Sequence, residues 1–209
     1  MIDPTNITNF YLSDIELEEV LLWWICAAGK NAITASRCLE SFLLEIHNNK
    51  KPYFPFNSIL KLDQKSLPFL LKSHGIGCYN NKAKTFWELA NSKLNLRTCS
   101  PQDLEKIHGI GMKTSRCFLI HSREKAECAG LDTHVLKFMR MVGIDAPKST
   151  PSKKEYLKIE KEFIKIVEKS KMPVAEVDLL IWNYFSKNKN VDEQMLSFLE
   201  SINLEIATC

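Results

Sequence analysis

Lys113 stands two residues beyond a Gly-x-Gly turn, in the run Leu104-Glu-Lys-Ile-His-Gly109-Ile-Gly111-Met-Lys113-Thr-Ser, and Asp132 follows in Leu131-Asp132-Thr-His134-Val. Gly109 and Gly111 permit positive φ and close backbone approach. The helix expected after them opens with unsatisfied N–H groups, a setting that attracts an anion such as a phosphate. With a helix on either side, the turn reads as a helix-hairpin-helix, which grips a duplex through its phosphates without reading bases. On the glycines alone, an ordinary tight turn between helices remains an equal alternative.

Lys113 adds chemistry to that turn. A helix start is an unfavourable place for an ammonium, and partial desolvation favours the neutral amine further. A neutral amine is a nucleophile that can form a Schiff base; the alternative is a solvated surface lysine. Asp132 precedes an apolar-faced helix (Val135, Leu136, Phe138, Met139), so it reads first as an N-cap aspartate. A carboxylate there can also stabilise positive charge developing on a sugar, and His134 can donate to a phosphate from the same helix start.

The elements that must hold these groups are helical throughout. Apolar residues recur at helical spacing and no strand-like alternation persists. Ser13-Asp-Ile-Glu16 forms a capping-box pattern before Leu17, Val20, Leu21, Trp24 and Ile25. Further helices are predicted over 32–47, 64–73, 80–92, 100–107, 112–122, 133–142, 152–169, 174–188 and 191–202. A loop containing Pro52 and Pro55 follows the second. Ser100-Pro101 supplies a cap with proline at the first helical position. Ser152-Lys-Lys-Glu155 is another capping box, ahead of a stripe of Tyr156, Ile159, Phe163 and Ile166. The expected fold class is all-α. The motif His74-Gly-Ile-Gly77 recurs as His108-Gly-Ile-Gly111, which reads as two turns with similar backbone demands rather than a duplicated repeat.

A chain of 209 residues, 45% apolar and 25% charged, can build a sizeable core and is not expected to be disordered. The net charge of +3 permits a nucleic-acid partner without demanding one. Seven cysteines (Cys26, Cys38, Cys78, Cys99, Cys117, Cys128 and Cys209) include no CxxC pair, so no zinc or iron–sulfur site is visible. Without a signal peptide they read as free thiols of an intracellular protein. The longest apolar run, Val20 to Ala28, is too short to span a bilayer.

The run LEKIHGIGMKTSRCFLI, continuing into AGLDTHVLKFM, resembles the helix-hairpin-helix DNA glycosylase superfamily, which includes endonuclease III, the adenine glycosylase and the 8-oxoguanine glycosylases. Weaker similarity extends over roughly residues 20 to 188. The resemblance implies that Lys113 is a nucleophile for both base removal and abasic-site lyase chemistry, and that Asp132 is the catalytic aspartate. The iron–sulfur branches carry four cysteines near the C-terminus, where this chain has only Cys209, which argues against those branches.

Other segments are similar to the 8-oxoguanine branch. WWICAAGKNAITASRCLESF looks like its early helix pair, whose asparagine-rich turn contacts the unpaired base; Asn31 is retained, while Gly29 and Lys30 depart from the pattern. HGIGCYNNKAKTF is similar to a turn whose tyrosine wedges into the base stack: Tyr79 matches, and Asn80 replaces an arginine. MPVAEVDLLIWNYF resembles the archaeal enzymes, whose Asp and Trp bind the extruded base. Here Asp178 and Trp182 lie one turn apart, and a carboxylate with an indole face suits a flipped purine. A core tryptophan beside an exposed aspartate is the plainer reading. Past Lys187 and Lys189 the chain ends at Cys209, so the C-terminal lysine of some archaeal members lacks a plain counterpart.

Together these features imply two helical lobes, residues 30–129 with the hairpin at about 100–122, and residues 1–29 plus 130–209, with a cleft between them. The expected reaction is removal of an oxidised purine, 8-oxoguanine, followed by β-elimination through a lysine Schiff base. The expected partner is double-stranded DNA containing a damaged base; no cofactor, metal or membrane is called for, and a monomer is expected. Oxidised pyrimidines as substrate, or a non-catalytic DNA-binding module, are the alternatives.

Overall fold

The computed structural model describes residues 1–186 and 192–202; Lys187, Lys189 and Cys209 lie outside them. Among the described residues the chain forms eleven helices and no strand, in agreement with the all-α expectation. α1 (Asp14–Ala27), α2 (Ala32–Ile46), α3 (Pro55–Lys61), α4 (Leu67–Ser73), α5 (Tyr79–Asn91), α6 (Pro101–Glu105) and most of α7 (Met112–Ser122) fall in a compact unit of residues 1–118. A second unit begins at Leu119 and contains α8 (Thr133–Met141), α9 (Lys153–Ser170), α10 (Val174–Ser186) and α11 (Glu193–Ser201).

The two units meet within α7, and α1 belongs to the first of them. The reason is the apolarity of α1. Leu17, Val20, Leu21, Leu22, Trp23, Ile25 and Cys26 are all buried, so most of its circumference is covered by α2, α3 and α5. One of those neighbours, α3, stands where a loop is expected. Pro55 is its first residue, a position where the missing N–H costs nothing, and Ile59 is buried from it.

The remaining boundaries follow local signals. Capping boxes at Ser13–Glu16, Ser100–Asp103 and Ser152–Glu155 start α1, α6 and α9, each satisfying N–H groups that would otherwise lack partners. In the first unit Phe42 and Phe86 are fully buried, with ring centroids 6.1 Å apart. In the second, Phe138 meets Phe163 edge-on at 6.3 Å and Phe198 at 5.7 Å. Burial of each such ring stabilises its unit by roughly 1.5–3 kcal/mol. The buried stripe of α9 is Tyr156, Ile159, Phe163 and Val167, with Val167 in the place expected of Ile166.

Candidate active site

The hairpin is built from two directions. At its start Asp103 accepts from the Ser100 hydroxyl (2.7 Å) and backbone N–H (3.0 Å), and Lys106 donates to it at 2.8 Å. Lys106, then Ser100, holds the Asp103 carboxyl below the usual carboxylate range. At its turn Gly109 adopts φ +81°, and a Cβ there would come within 2.4 Å of Thr85 Oγ1 on α5. Thr85 is 1% exposed and its hydroxyl donates to the Asn81 carbonyl at 2.9 Å, so the β-branched side chain has little freedom to yield. Gly111 differs: its φ is not positive, and a Cβ would meet nothing within 4 Å. The expectation of positive φ thus holds at Gly109 alone.

A buried ion pair ties the two hairpin helices together. Arg116, 2% exposed, donates from Nη1 to Glu105 Oε1 and to the Met112 carbonyl (3.3 Å), and Ser115 Oγ donates to the same Glu105 oxygen at 3.2 Å. Sequence reasoning missed both Glu105 and Arg116, because a charged pair eleven residues apart across a turn leaves no periodic trace. Lys113, the second residue of α7, is half-buried.

The same unit carries Asn31 and Tyr79. Asn31 is the N-cap of α2, accepting from the Thr34 N–H at 3.1 Å, a structural duty that accounts for its carbonyl oxygen. The neighbouring Lys30 ammonium donates to the Gly75 carbonyl. Lys82, 7% exposed, donates to the carbonyls of Cys26 (2.9 Å) and Ala28 (3.4 Å), where the C-terminal dipole of α1 favours a cation. These bonds join the end of α1 and the turn after it to Gly75 and α5. Tyr79 opens α5, half-buried, with the Lys72 ammonium 5.4 Å from its ring centre.

The second unit gathers Asp132, His134, Asp178 and Trp182. Asp132 is the N-cap of α8, its Oδ1 accepting from the N–H groups of His134 (2.7 Å) and Val135 (2.8 Å). The segment before it is fixed from α9: the Tyr156 hydroxyl donates to the Ala129 carbonyl (2.8 Å) and accepts from the Leu131 N–H (2.9 Å), while Glu160 accepts from the Ala129 N–H (3.0 Å). The His134 ring stacks on Phe185 of α10, centroids 5.9 Å apart, and its Nδ1 is buried without a hydrogen-bond partner. On α10, Asp178 Oδ2 accepts from His121 Nε2–H at 3.2 Å, and Trp182 is half-buried one turn further on. His121, like Glu105 and Arg116, left no trace in the sequence reading.

Among the described residues no group of three or more His, Cys, Asp or Glu could hold a metal ion, and no helix is long and apolar enough to cross a membrane.

Comparison with known proteins sets this geometry in a family. The sequence profile of the 8-oxoguanine DNA glycosylase family matches residues 52–172, more than half of the chain and including the whole hairpin, Lys113 and Asp132. The 8-oxoguanine DNA glycosylase/AP lyase of Sulfolobus acidocaldarius is 29% identical over 145 residues, 64% of this chain and 70% of that protein. Among solved structures, the 8-oxoguanine DNA glycosylase of Thermotoga maritima superposes with a TM-score of 0.64 at 26% identity, covering 87% of this chain and 84% of the other. The Methanocaldococcus jannaschii 8-oxoguanine glycosylase/lyase, solved with a 15-mer DNA containing 8-oxoguanine, superposes with a TM-score of 0.65 at 23% identity, covering 87% and 86%. The chain belongs to the 8-oxoguanine DNA glycosylase family, on the helix-hairpin-helix fold.

Proposed function

We propose that this chain is a base-excision DNA repair enzyme, a bifunctional glycosylase and abasic-site lyase acting on 8-oxoguanine in duplex DNA. The observation that carries the reading is the half-buried Lys113 in the first turn of α7, directly after a turn whose Gly109 is pressed onto α5. Membership of the family supplies the substrate class. The N–H groups at the start of α7 and the backbone at Gly111 take a phosphate, and His134 takes another from the start of α8. Tyr79 fills the stack that the extruded base leaves, and Asn31 approaches the base left unpaired. Asp178 and Trp182 receive the base.

The neutral amine of Lys113 attacks C1′ of the sugar. The glycosidic bond breaks, its electron pair leaves with the base, and the base takes up a proton. Asp132, oriented by its two backbone bonds, stabilises the oxocarbenium charge that develops on the sugar. The adduct opens to a protonated imine, which acidifies C2′–H. Loss of that proton expels the 3′ phosphate by β-elimination, and water then hydrolyses the imine and returns the lysine.

A cleavage assay on a panel of lesion duplexes, run with and without alkaline work-up, tests this. The expected result is cleavage of duplex containing 8-oxoguanine opposite cytosine, without alkali. Cleavage confined to oxidised pyrimidines would overturn the substrate. Cleavage seen only after alkali would overturn the lyase, and binding with no cleavage under either condition would overturn the enzyme.

A further inference from the structure

His121 has no part in the chemistry above, yet it is among the most deeply placed polar side chains in the molecule, with no exposure at all. It sits in the last turn of α7, the helix whose first turn carries Lys113, and its Nε2–H donates to Asp178 Oδ2 at 3.2 Å. Asp178 is different in kind: 14% of its side chain reaches the surface, on the helix that presents Trp182 one turn later. A fully buried imidazole needs hydrogen-bond partners to offset its desolvation, which an apolar side chain in its place would not, so packing alone does not account for it. It does orient the carboxylate. Rotation about χ2 of an aspartate is soft and roughly two-fold, and a donor on Oδ2 selects one setting. The other oxygen, Oδ1, then has a fixed direction in which to accept from a ligand.

We infer that His121 is a positioning residue for base selection: it holds Asp178 so that Oδ1 accepts from the adjacent N1–H and N2–H groups of a guanine-type edge. This rests on the reading of Asp178 and Trp182 as the base pocket. The chemistry of that edge makes the inference specific. Guanine and 8-oxoguanine both offer two neighbouring donors there, while adenine offers an acceptor at N1, which a fixed carboxylate oxygen repels. His121 therefore bears on guanine-type against adenine-type bases, and on seating a base rather than breaking its bond.

The test compares single-turnover excision from an 8-oxoguanine duplex with lyase cleavage of a preformed abasic duplex, which has no base to seat. His121→Phe keeps the ring and removes the donor. The ratio of excision to lyase rates is expected to fall about ten- to a hundredfold, the size of a lost hydrogen bond to a charged group. His121→Gln places an N–H near the same point and is expected to recover most of that ratio; it also serves should the Phe variant fold poorly. In an Asp178→Asn background, adding His121→Phe is expected to lower the ratio no further. A parallel fall of both rates in His121→Phe, an unaltered ratio, or additive losses in the double variant would overturn the inference. Should Asp178→Asn alone leave the ratio intact while cleavage persists, the base-pocket reading itself fails; should only Asp178→Asn lower it, the pocket stands and the role of His121 is wrong.

Discussion

His74-Gly75-Ile76-Gly77 and His108-Gly109-Ile110-Gly111 are one tetrapeptide used twice within the first unit, and the backbone treats them alike. The first glycine of each is left-handed (φ +72° and +81°), each isoleucine is buried, and a Cβ on the second glycine would meet nothing within 4 Å. Each then leads into a helix, α5 or α7. What surrounds the two turns differs. The His74 ring is bonded on both sides, Nδ1 with Ser41 Oγ at 2.8 Å and Nε2 with Glu45 at 2.8 Å, so it is committed to holding α2. His108 is exposed, and its backbone N–H reaches Glu88 at 3.2 Å. The first turn is followed by Cys78 and Tyr79, the second by Met112 and Lys113. The tetrapeptide thus dictates a way of entering a helix, and the chemistry comes from the side chain that the helix start then presents.

Substitutions should separate the two turns. The largest effect is expected at Glu105. Removing it takes the Glu105 carboxylate from the buried Arg116 guanidinium, and Glu105→Ala should destabilise the protein by about 3 kcal/mol in denaturant unfolding. The corresponding support of the first turn is weaker: Glu45 is 58% exposed, so Glu45→Ala should cost less than about 1 kcal/mol. Equal losses at the two sites would mean that Arg116 finds other compensation.

The glycines should rank in the same assay. Gly109→Ala combines a left-handed φ with a 2.4 Å approach to Thr85 Oγ1, and should cost about 2–4 kcal/mol, partly recovered by adding Thr85→Ala. Gly75→Ala meets only Cys38 Sγ at 3.4 Å, so the backbone contribution of about 1–2 kcal/mol remains. Gly111→Ala should be neutral, or stabilising by up to about 1 kcal/mol, because neither φ nor space forbids a side chain. Its effect should show in DNA affinity, through the methyl placed where a phosphate approaches. A Gly111→Ala protein with undiminished affinity at fixed salt would remove the hairpin turn from the DNA contact.

The sequence disclosed whatever depends on neighbours within a turn or two. The capping boxes, the proline starts, the N-cap role of Asp132 and the turns at Gly75 and Gly109 are local preferences that tertiary structure leaves in place. α3 was hidden because two prolines close together read as a loop, although Pro55 begins a helix without losing a hydrogen bond. Thr85, Glu105, Arg116 and His121 were hidden for a different reason. Each acts on a partner in another element, and sequence spacing carries no record of which distant side chain a buried polar group must meet. Asn31 shows the same boundary from the other side: the resemblance set it beside the unpaired base, and only the fold shows that its oxygen also caps α2.

Borohydride trapping shows whether Lys113 is the nucleophile. Wild-type protein and Lys113→Ala are incubated with duplex containing 8-oxoguanine opposite cytosine, and the imine is reduced as it forms. A covalent protein–DNA adduct is expected for wild type and none for Lys113→Ala, with strand cleavage reduced on the order of a thousandfold or more. No adduct from wild type, or an adduct from Lys113→Ala, would contradict it.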